Sequence, residues 1–318
     1  GLLSHLSLVR IQYALYNQTM KNFLTIALVL FSTYSLSGPV EIKHNSVSLN
    51  GFYSSSSEKS KSIALILHGT RGHQNLELIT SLRDSLLDNR VDSLTINLSY
   101  GINNRANDFL PCDIEHKHKQ SNSRSEIKLW YEYVRKIGYE KIYLIGHSRG
   151  AWDIINFYEN LDLKNQDLIN SIILIAPISE TWESSIKKYK KQYDINIANL
   201  DRQRIEKLKI NFLGCENATV YSDSFLDYYL ISGDHDSFDK IDGQFSAKGL
   251  NLHLLNTLGE VYIITASDDS IVPDTYKIVK NIEGKRKNIE LHQLDGADHF
   301  FRDFYFDDLM DLIIERIN

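Results

Sequence analysis

The strongest indication of the fold is the stretch Ile142-Tyr143-Leu144-Ile145-Gly146-His147-Ser148-Arg149-Gly150. Its first residues would be apolar on both faces of an extended chain, as a strand buried in a parallel sheet requires. A Gly-x-Ser-x-Gly pentapeptide follows directly, and apolar residues then recur at helical spacing, at Ala151, Ile154, Ile155 and Tyr158. A serine in a sharp turn between a buried strand and a helix is exposed for nucleophilic attack. We therefore predict that Ser148 is a nucleophile.

Five further short runs are rich in apolar or β-branched residues and are bounded by turn residues: 63–67, 93–98, 171–176, 261–265 and 288–294. Patterns of helical spacing lie between them. One such pattern follows Ser123 and Glu126, which have the spacing of a capping box that starts a helix. Strands that alternate with helices predict a doubly wound α/β fold.

The composition is that of an ordinary globular protein. The 318 residues are 42% hydrophobic and 24% charged, which excludes a disordered or fibrous chain and leaves room for one large domain or two. The formal net charge of −6 argues against nucleic acid or an anionic membrane as the main partner. The two cysteines, Cys112 and Cys215, cannot form a disulfide-dense scaffold or a zinc site with four cysteine ligands.

The first 37 residues have the features of a leader. Met20 and Lys21 precede a short apolar run that ends at Phe31, and small residues follow up to Ser37. This pattern predicts a signal peptide, with residues 1–19 as an upstream extension; a buried helix or an uncleaved anchor is the alternative. The apolar run is too short to span a bilayer comfortably. We therefore expect an exported protein, periplasmic or secreted, with no stable membrane span after cleavage.

Residues 177–260 interrupt the alternation of strands and helices. We find no clear buried strand there; lysines are frequent early in the segment and aromatic residues later. An insertion of this length between two core strands predicts a lid or cap. The expected organisation is N-terminal strands and a linker at 38–62, a core at 63–176 and 261–318, and a lid at 177–260.

A Gly-rich turn, Leu67-His68-Gly69-Thr70-Arg71-Gly72, follows the first buried strand. Such a turn can direct a backbone N–H towards the nucleophile. We predict that the N–H groups of Thr70 and Arg149 form an oxyanion hole. A simple turn between strand and helix is the alternative.

A candidate acid and a candidate base follow the last two predicted strands. Asp269 lies just past the end of run 261–265, and its Asp-x-Ile-Val-Pro context favours it over the adjacent Asp268. His299 lies in the loop after run 288–294. The order Ser148, Asp269, His299, each after a strand, predicts a Ser-His-Asp catalytic triad.

On these motifs, over residues 60–180 and 260–318, the sequence resembles the α/β-hydrolases, and in particular uncharacterised exported bacterial members of that fold. The resemblance implies an eight-stranded, mostly parallel sheet with the active site at its carboxyl edge. It implies Ser148 as nucleophile, His299 as base and Asp269 as orienting acid. A lid between the sixth and seventh strands fits it as well.

The two cysteines leave three arrangements open. Cys112, His116 and His118 have a spacing that could bind a metal, Cys112 and Cys215 could form a disulfide, or both thiols could stay free and buried. Export favours the disulfide. His116 and His118 would then be surface or substrate-rim residues. Arg71 could also contact substrate at the rim, and with Arg149 it could favour an acidic one. Solvated arginines near helix starts are the alternative for both, and the favoured interpretation.

The leading hypothesis is a serine hydrolase that cleaves a carboxylic ester, with a thioester or an amide as the other candidate bonds. It needs a small-molecule acyl substrate and neither a metal nor another cofactor. A catalytically silent α/β-hydrolase fold used as a binding module is the alternative, and a metal site built on Cys112 is a third. These motifs carry no information on acyl length or oligomeric state.

Overall fold

The computed structural model describes residues 37–44, 46–56, 60–179, 182–196, 205–229, 238–241, 244–247 and 250–317. The leader predicted over residues 1–37 lies outside these ranges except for Ser37. None of the helices within the described ranges is both long and apolar enough to cross a membrane.

The described residues form strands and helices in close alternation. The strands are β1 (Gly38–His44), β2 (Val47–Ser54), β3 (Ser62–Leu67), β4 (Asp92–Ile96), β5 (Glu115–His116), β6 (Lys141–His147), β7 (Ile169–Ile175), β8 (Lys207–Phe212), β9 (Cys215–Tyr221), β10 (Phe238–Ile241), β11 (Gln244–Ala247), β12 (Val261–Ala266) and β13 (Ile289–Leu294). The helices are α1 (Glu77–Asp88), α2 (Gln120–Ile137), α3 (Arg149–Glu159), α4 (Leu163–Gln166), α5 (Trp182–Tyr193), α6 (Ser222–Tyr229), α7 (Leu250–Asn256), α8 (Thr275–Glu283) and α9 (Phe304–Ile317).

Eight of these strands form one sheet in the order β1-β2-β4-β3-β6-β7-β12-β13. The six strands from β4 to β13 pair in parallel, whereas β1 and β2 pair antiparallel. The predicted eight-stranded, mostly parallel sheet is confirmed. Because parallel neighbours end at the same edge, the loops after β3, β6, β12 and β13 meet at the carboxyl edge of the sheet.

Helices cover both faces of this sheet, which explains why its central strands are apolar on both sides. On β3, Leu65 packs into one buried cluster with Trp130 and Ile154. Its neighbour Ile66 packs into another, which includes Leu82 of α1. Successive side chains of a strand point to opposite faces, so a strand between two helical layers must be apolar throughout.

The segment between β7 and β12, residues 177–260, is called the insertion below. Its strands β8 and β9 pair antiparallel and join β5 in a separate three-stranded sheet. Leu208, Ile210 and Phe212 are buried, while Lys207 and Lys209 are exposed. The expectation of no buried strand in this segment is therefore wrong. The strand alternates apolar and polar residues because only one of its faces is buried, and a search for continuous apolar runs misses that pattern.

Helix α2 begins earlier than the capping-box pattern predicted. It starts at Gln120, and the backbone N–H of Lys119 donates to Asn122 Oδ1 at 3.1 Å. Ser123 and Glu126 lie inside the helix, so the predicted capping role is wrong. Glu126 instead accepts a hydrogen bond of 2.8 Å from the backbone N–H of Ser99 and a second from its hydroxyl. The helix thereby holds the loop after β4.

Candidate active site

Ser148 lies in the turn between β6 and α3, where the sequence places it. Its backbone has φ 56° and ψ −121°, a region that residues with a side chain rarely adopt. The backbone N–H of Ser148 donates to the carbonyl of Ile175 at 2.8 Å, so the turn is tied to the end of β7. A strained serine turn at the carboxyl edge of a parallel sheet is the geometry of a nucleophile elbow.

The two glycines of the pentapeptide are required by close contacts. A Cβ atom at Gly146 would lie 2.5 Å from the carbonyl oxygen of Gly150, and one at Gly150 would lie 2.3 Å from the carbonyl oxygen of His68. Neither leaves room for a side chain. A Cβ at Gly69 would lie 3.0 Å from the Cβ of Ser148. The turn that carries Thr70, after β3, therefore runs directly beside the serine.

Asp269 and His299 meet at this edge. His299 Nδ1 lies 2.7 Å from Asp269 Oδ2, and the other carboxylate oxygen accepts the backbone N–H groups of Ile271 and Val272, each at 2.8 Å. Burial opposes ionisation of Asp269. The hydrogen bonds from His299 and Val272 outweigh it, so the pKa of the carboxyl lies below its ordinary value. The adjacent Asp268 is exposed.

His147, which sequence reasoning did not single out, connects the loop that carries His299 to the serine turn. Its Nε2 lies 2.9 Å from the carbonyl oxygen of His299, so Nε2 carries the proton and donates it. Burial and, as the second cause, the charge of His299 lower the pKa of His147 to about 3, so the ring is neutral near pH 7. Its position inside the Gly-x-Ser-x-Gly motif is the one signal that could have drawn attention to it.

The turn after β3 is fastened by two buried side chains. His68 Nε2 accepts the backbone N–H of Leu98 at 3.3 Å, and its Nδ1 donates to the carbonyl of Gly69 at 2.8 Å. Arg105 donates to the carbonyls of Leu98 and Gly72 at 2.7 and 2.6 Å. The backbone around Thr70 is thereby held by the loop after β4. Sequence reasoning missed Arg105, because no motif marks it.

Cys112 and Cys215 form a disulfide, with their Cα atoms 5.2 Å apart. This confirms the predicted bridge from the loop after the fourth strand to the insertion. The sulfur of Cys112 is bonded to carbon and sulfur, so the alternative metal site with Cys112, His116 and His118 is wrong. Arg71 lies against the bridge and donates from Nη1 to the carbonyl of Leu110 at 3.1 Å and to Cys215 Sγ at 2.7 Å.

His116 and His118 are buried rather than at a surface or a rim, which corrects the expectation for both. Their rings contact each other, with His116 Nδ1 3.1 Å from His118 Nε2, and His118 Nδ1 lies 2.9 Å from the hydroxyl of Tyr228. Burial lowers the pKa of both, that of His118 to about 3. The cause is β5, which pairs with β9 and draws the loop under the insertion.

Two pockets adjoin the elbow. One, of about 470 Å³, is bounded by Thr70, Arg71, Arg149 and residues of the insertion. The other, of about 480 Å³, is bounded by His147 and largely by aromatic and aliphatic side chains, among them Phe109, Phe300 and Phe306. Of the residues predicted at the substrate rim, Arg71 alone bounds either of these two pockets. One pocket thus adjoins Thr70 and Arg149, and the other adjoins His147, the residue before Ser148.

The fold and the elbow define an α/β-hydrolase. The family described as alpha/beta hydrolase of unknown function (DUF900) matches residues 49–210, and the chain belongs to it. The matched range includes the turn after β3 and the serine elbow. No curated protein matches the sequence.

Solved structures share this fold at low sequence identity. Est1E from Butyrivibrio proteoclasticus superposes with a TM-score of 0.60 at 15% identity, covering 88% of this chain and 99% of its own. The esterase Pf2001 from Pyrococcus furiosus gives a TM-score of 0.55 at 14% identity, covering 89% of each chain. An alpha-beta serine hydrolase homologue from Coxiella burnetii gives 0.52 at 14% identity, covering 90% of this chain and 100% of its own.

Proposed function

We propose that this hydrolase cleaves carboxylic esters through an acyl-enzyme on Ser148, with His299 as general base and Asp269 as the acid that orients it. The observation that carries the proposal is the convergence of a strained serine turn and a buried His299–Asp269 hydrogen bond at one edge of the sheet. A serine hydroxyl is a weak nucleophile near neutral pH, so a base beside it is what ester cleavage requires.

The mechanism assigns one task to each group. Asp269 holds the proton on His299 Nδ1, so Nε2 is the nitrogen that accepts the Ser148 proton as Oγ attacks the substrate carbonyl. The N–H groups of Thr70 and Arg149 bind the resulting oxyanion. His299 then protonates the leaving alcohol, and the acyl group stays on Ser148. Water attacks the acyl-enzyme with His299 again as base, and the free acid leaves.

The surroundings of the elbow support an ester with one apolar part. The pocket of about 480 Å³ that includes Phe109, Phe300 and Phe306 can take an acyl chain or an aromatic group of moderate size. Among structures with this fold, one is described as ferulic acid bound to Est1E and another as an esterase. Acids and esters are therefore handled on this scaffold, at 16% identity or less to this chain.

A second part of the proposal concerns location and the insertion. We propose that the leader directs export and is removed, and that residues 177–260 act as a lid over the elbow. The disulfide supports export, because such bonds persist in oxidising compartments. Lys188 and Tyr189 of α5 line the same pocket as Thr70, which supports the lid.

Labelling with a neutral fluorophosphonate tests the ester-hydrolase proposal against a silent binding fold. We expect one covalent adduct, found by peptide mass mapping on Ser148. Ser148→Ala should lose the label, and Ser125→Ala, at an exposed site on α2, should keep it. A folded wild-type protein that stays unlabelled, or an adduct on another residue, would overturn the proposal.

A further inference from the structure

The pocket of about 470 Å³ lies between the proposed oxyanion donors and the insertion. Thr70 and Arg149, whose N–H groups would bind the oxyanion, both line it, and so does Ile271 beside the acid Asp269. A substrate whose carbonyl sits at Ser148 can therefore extend into this space. The groups that line the pocket then contribute to the choice of substrate.

Among the described residues that line this pocket, most of the charged side chains are cationic. Arg71, Arg149 and Lys188 line it, and among the described lining residues only Glu216 is acidic. The chain as a whole carries a formal net charge of −6, so this concentration of positive charge is opposite to the overall balance. Positive side chains in a partly enclosed cleft attract and hold anionic ligands.

Arg71 is held in place at the pocket wall. Its backbone has φ 56°, and its N–H donates to the hydroxyl of Tyr100 at 3.2 Å. Its side-chain hydrogen bonds to described residues all leave from Nη1, to the Leu110 carbonyl and the two sulfurs of the disulfide. A guanidinium has five N–H donors, and the remaining edge matches the two oxygens of a carboxylate.

Arg149 is positioned by a buried chain of polar groups. Its Nη1 donates to Gln120 Oε1 at 3.4 Å, and the amide nitrogen of Gln120 donates to Asp153. Burial raises the pKa of Asp153 to about 7, against the lowering effect of Arg149. The Arg149 guanidinium also lies 5.6 Å from the ring of Tyr228. Gln120 and Tyr228 therefore hold the charged guanidinium of Arg149 beside the pocket.

We propose that the substrate ester carries a carboxylate besides the bond that is cleaved, and that Arg71, with Arg149 and Lys188, binds this carboxylate. The inference rests on the proposed ester hydrolysis and narrows its substrate class to charged esters. Arginine binds carboxylates through paired hydrogen bonds, which are among the stronger polar contacts in proteins. Arg71 and Lys188 therefore act as specificity-determining residues.

Hydrolysis of matched esters tests this class. The 4-nitrophenyl half-esters of adipic and suberic acid carry a terminal carboxylate, and 4-nitrophenyl esters of uncharged acids of equal chain length lack it. We expect the full-length protein to prefer the charged ester, by a kcat/KM ratio of about tenfold or more. Added salt should reduce that ratio, because it screens partly exposed charges.

Three variants connect the preference to the pocket. Arg71→Gln and Lys188→Gln should each lower the charged-to-neutral ratio, by about tenfold for Arg71 and by less for the exposed Lys188. Lys187→Gln removes the same charge one residue earlier on α5, outside the pocket lining, and should leave the ratio unchanged. Lys188→Gln keeps the test valid if loss of Arg71 beside the disulfide impairs folding.

The outcomes separate this inference from the ester-hydrolase proposal. Neutral esters hydrolysed as well as charged ones, or a ratio that Lys188→Gln and Lys187→Gln change equally, would overturn the carboxylate site while leaving Ser148 catalysis intact. Failure to hydrolyse either series, together with absence of fluorophosphonate labelling, would instead reject the catalytic proposal itself.

Discussion

The strands of the core and those of the insertion bury their side chains in different ways. In β3 the residues from Ile63 to Leu67 are all buried, whereas in β8 buried and exposed residues alternate. The core sheet lies between two layers of helices, while the insertion sheet packs one face on a small cluster that includes Phe212 and Phe225. The core therefore holds the turn of Ser148 at the edge of a sheet that is packed on both faces, whereas the insertion contributes part of the wall of the charged pocket.

The core and the insertion also contribute different functional residues. The proposed nucleophile, acid and base all follow strands of the core sheet, and the insertion supplies Lys188 and Glu216 to the charged pocket. We expect changes in the core to abolish turnover and changes in the insertion to alter stability or selectivity.

Asp269→Asn should produce the largest effect. The amide cannot hold the His299 proton on Nδ1 as the carboxylate does, so kcat should fall by about 10⁴-fold in steady-state ester hydrolysis. Asp268→Asn is the matched control. That neighbouring carboxylate is exposed, so the activity of this variant should stay near that of the wild type. Equal losses in the two variants would mean that Asp269 has no special role.

Removal of the disulfide should weaken the insertion more than the core. Cys112→Ser with Cys215→Ser frees a loop with a sequence separation of 103 residues. The free energy of unfolding should fall by about 2–4 kcal/mol in urea denaturation. Native-state hydrogen exchange should accelerate in β8 and β9 and stay slow in β6 and β7. Acceleration of equal size in all four strands would contradict the expected difference in stability between the insertion and the core.

Acidification should destabilise the protein through buried neutral histidines. Burial lowers the pKa of His68, His147 and His118 to about 3, whereas in the unfolded chain each would titrate near 6.5. The unfolded state thus binds more protons below that pH, and stability falls by up to about 1.4 kcal/mol per pH unit for each histidine. Urea unfolding between pH 7 and pH 5 measures this slope.

His118→Gln isolates the histidine that lies under the insertion. Its loss should reduce the slope of stability against pH by up to about 1.4 kcal/mol per pH unit, while His68 and His147 in the core keep their contributions. An unchanged slope would show that His118 is not the buried neutral group the structure indicates. In the core, His147 contacts the backbone of His299, so its substitution would also alter activity.

The core and the position of the serine turn could be predicted from sequence because each relevant residue follows a continuous apolar strand. Ser148, Asp269 and His299 occupy fixed places relative to such strands, and the carboxyl edge brings those places together. Asp269 was separable from Asp268 only by its Ile-Val-Pro context. In the structure, the Asp269 carboxylate accepts two backbone N–H groups from that turn.

Other features depend on loop packing that no local pattern encodes. His116 and His118 are buried because β5 pairs with β9, more than one hundred residues away in sequence. Arg105 holds the turn around Thr70 from a loop without a motif. Helix α2 begins at Gln120 rather than at the Ser123 signal because Glu126 bonds to Ser99 instead of capping the helix.

In the proposed mechanism, ester cleavage passes through an acyl-enzyme on Ser148. Rapid acid quench of the full-length protein during turnover of 4-nitrophenyl acetate, followed by peptide mapping, measures this directly. We expect an early burst of nitrophenol and one acetylated peptide, modified at Ser148. Acetylation of another residue, or wild-type turnover by Ser148→Ala, would contradict the acyl-enzyme mechanism on Ser148.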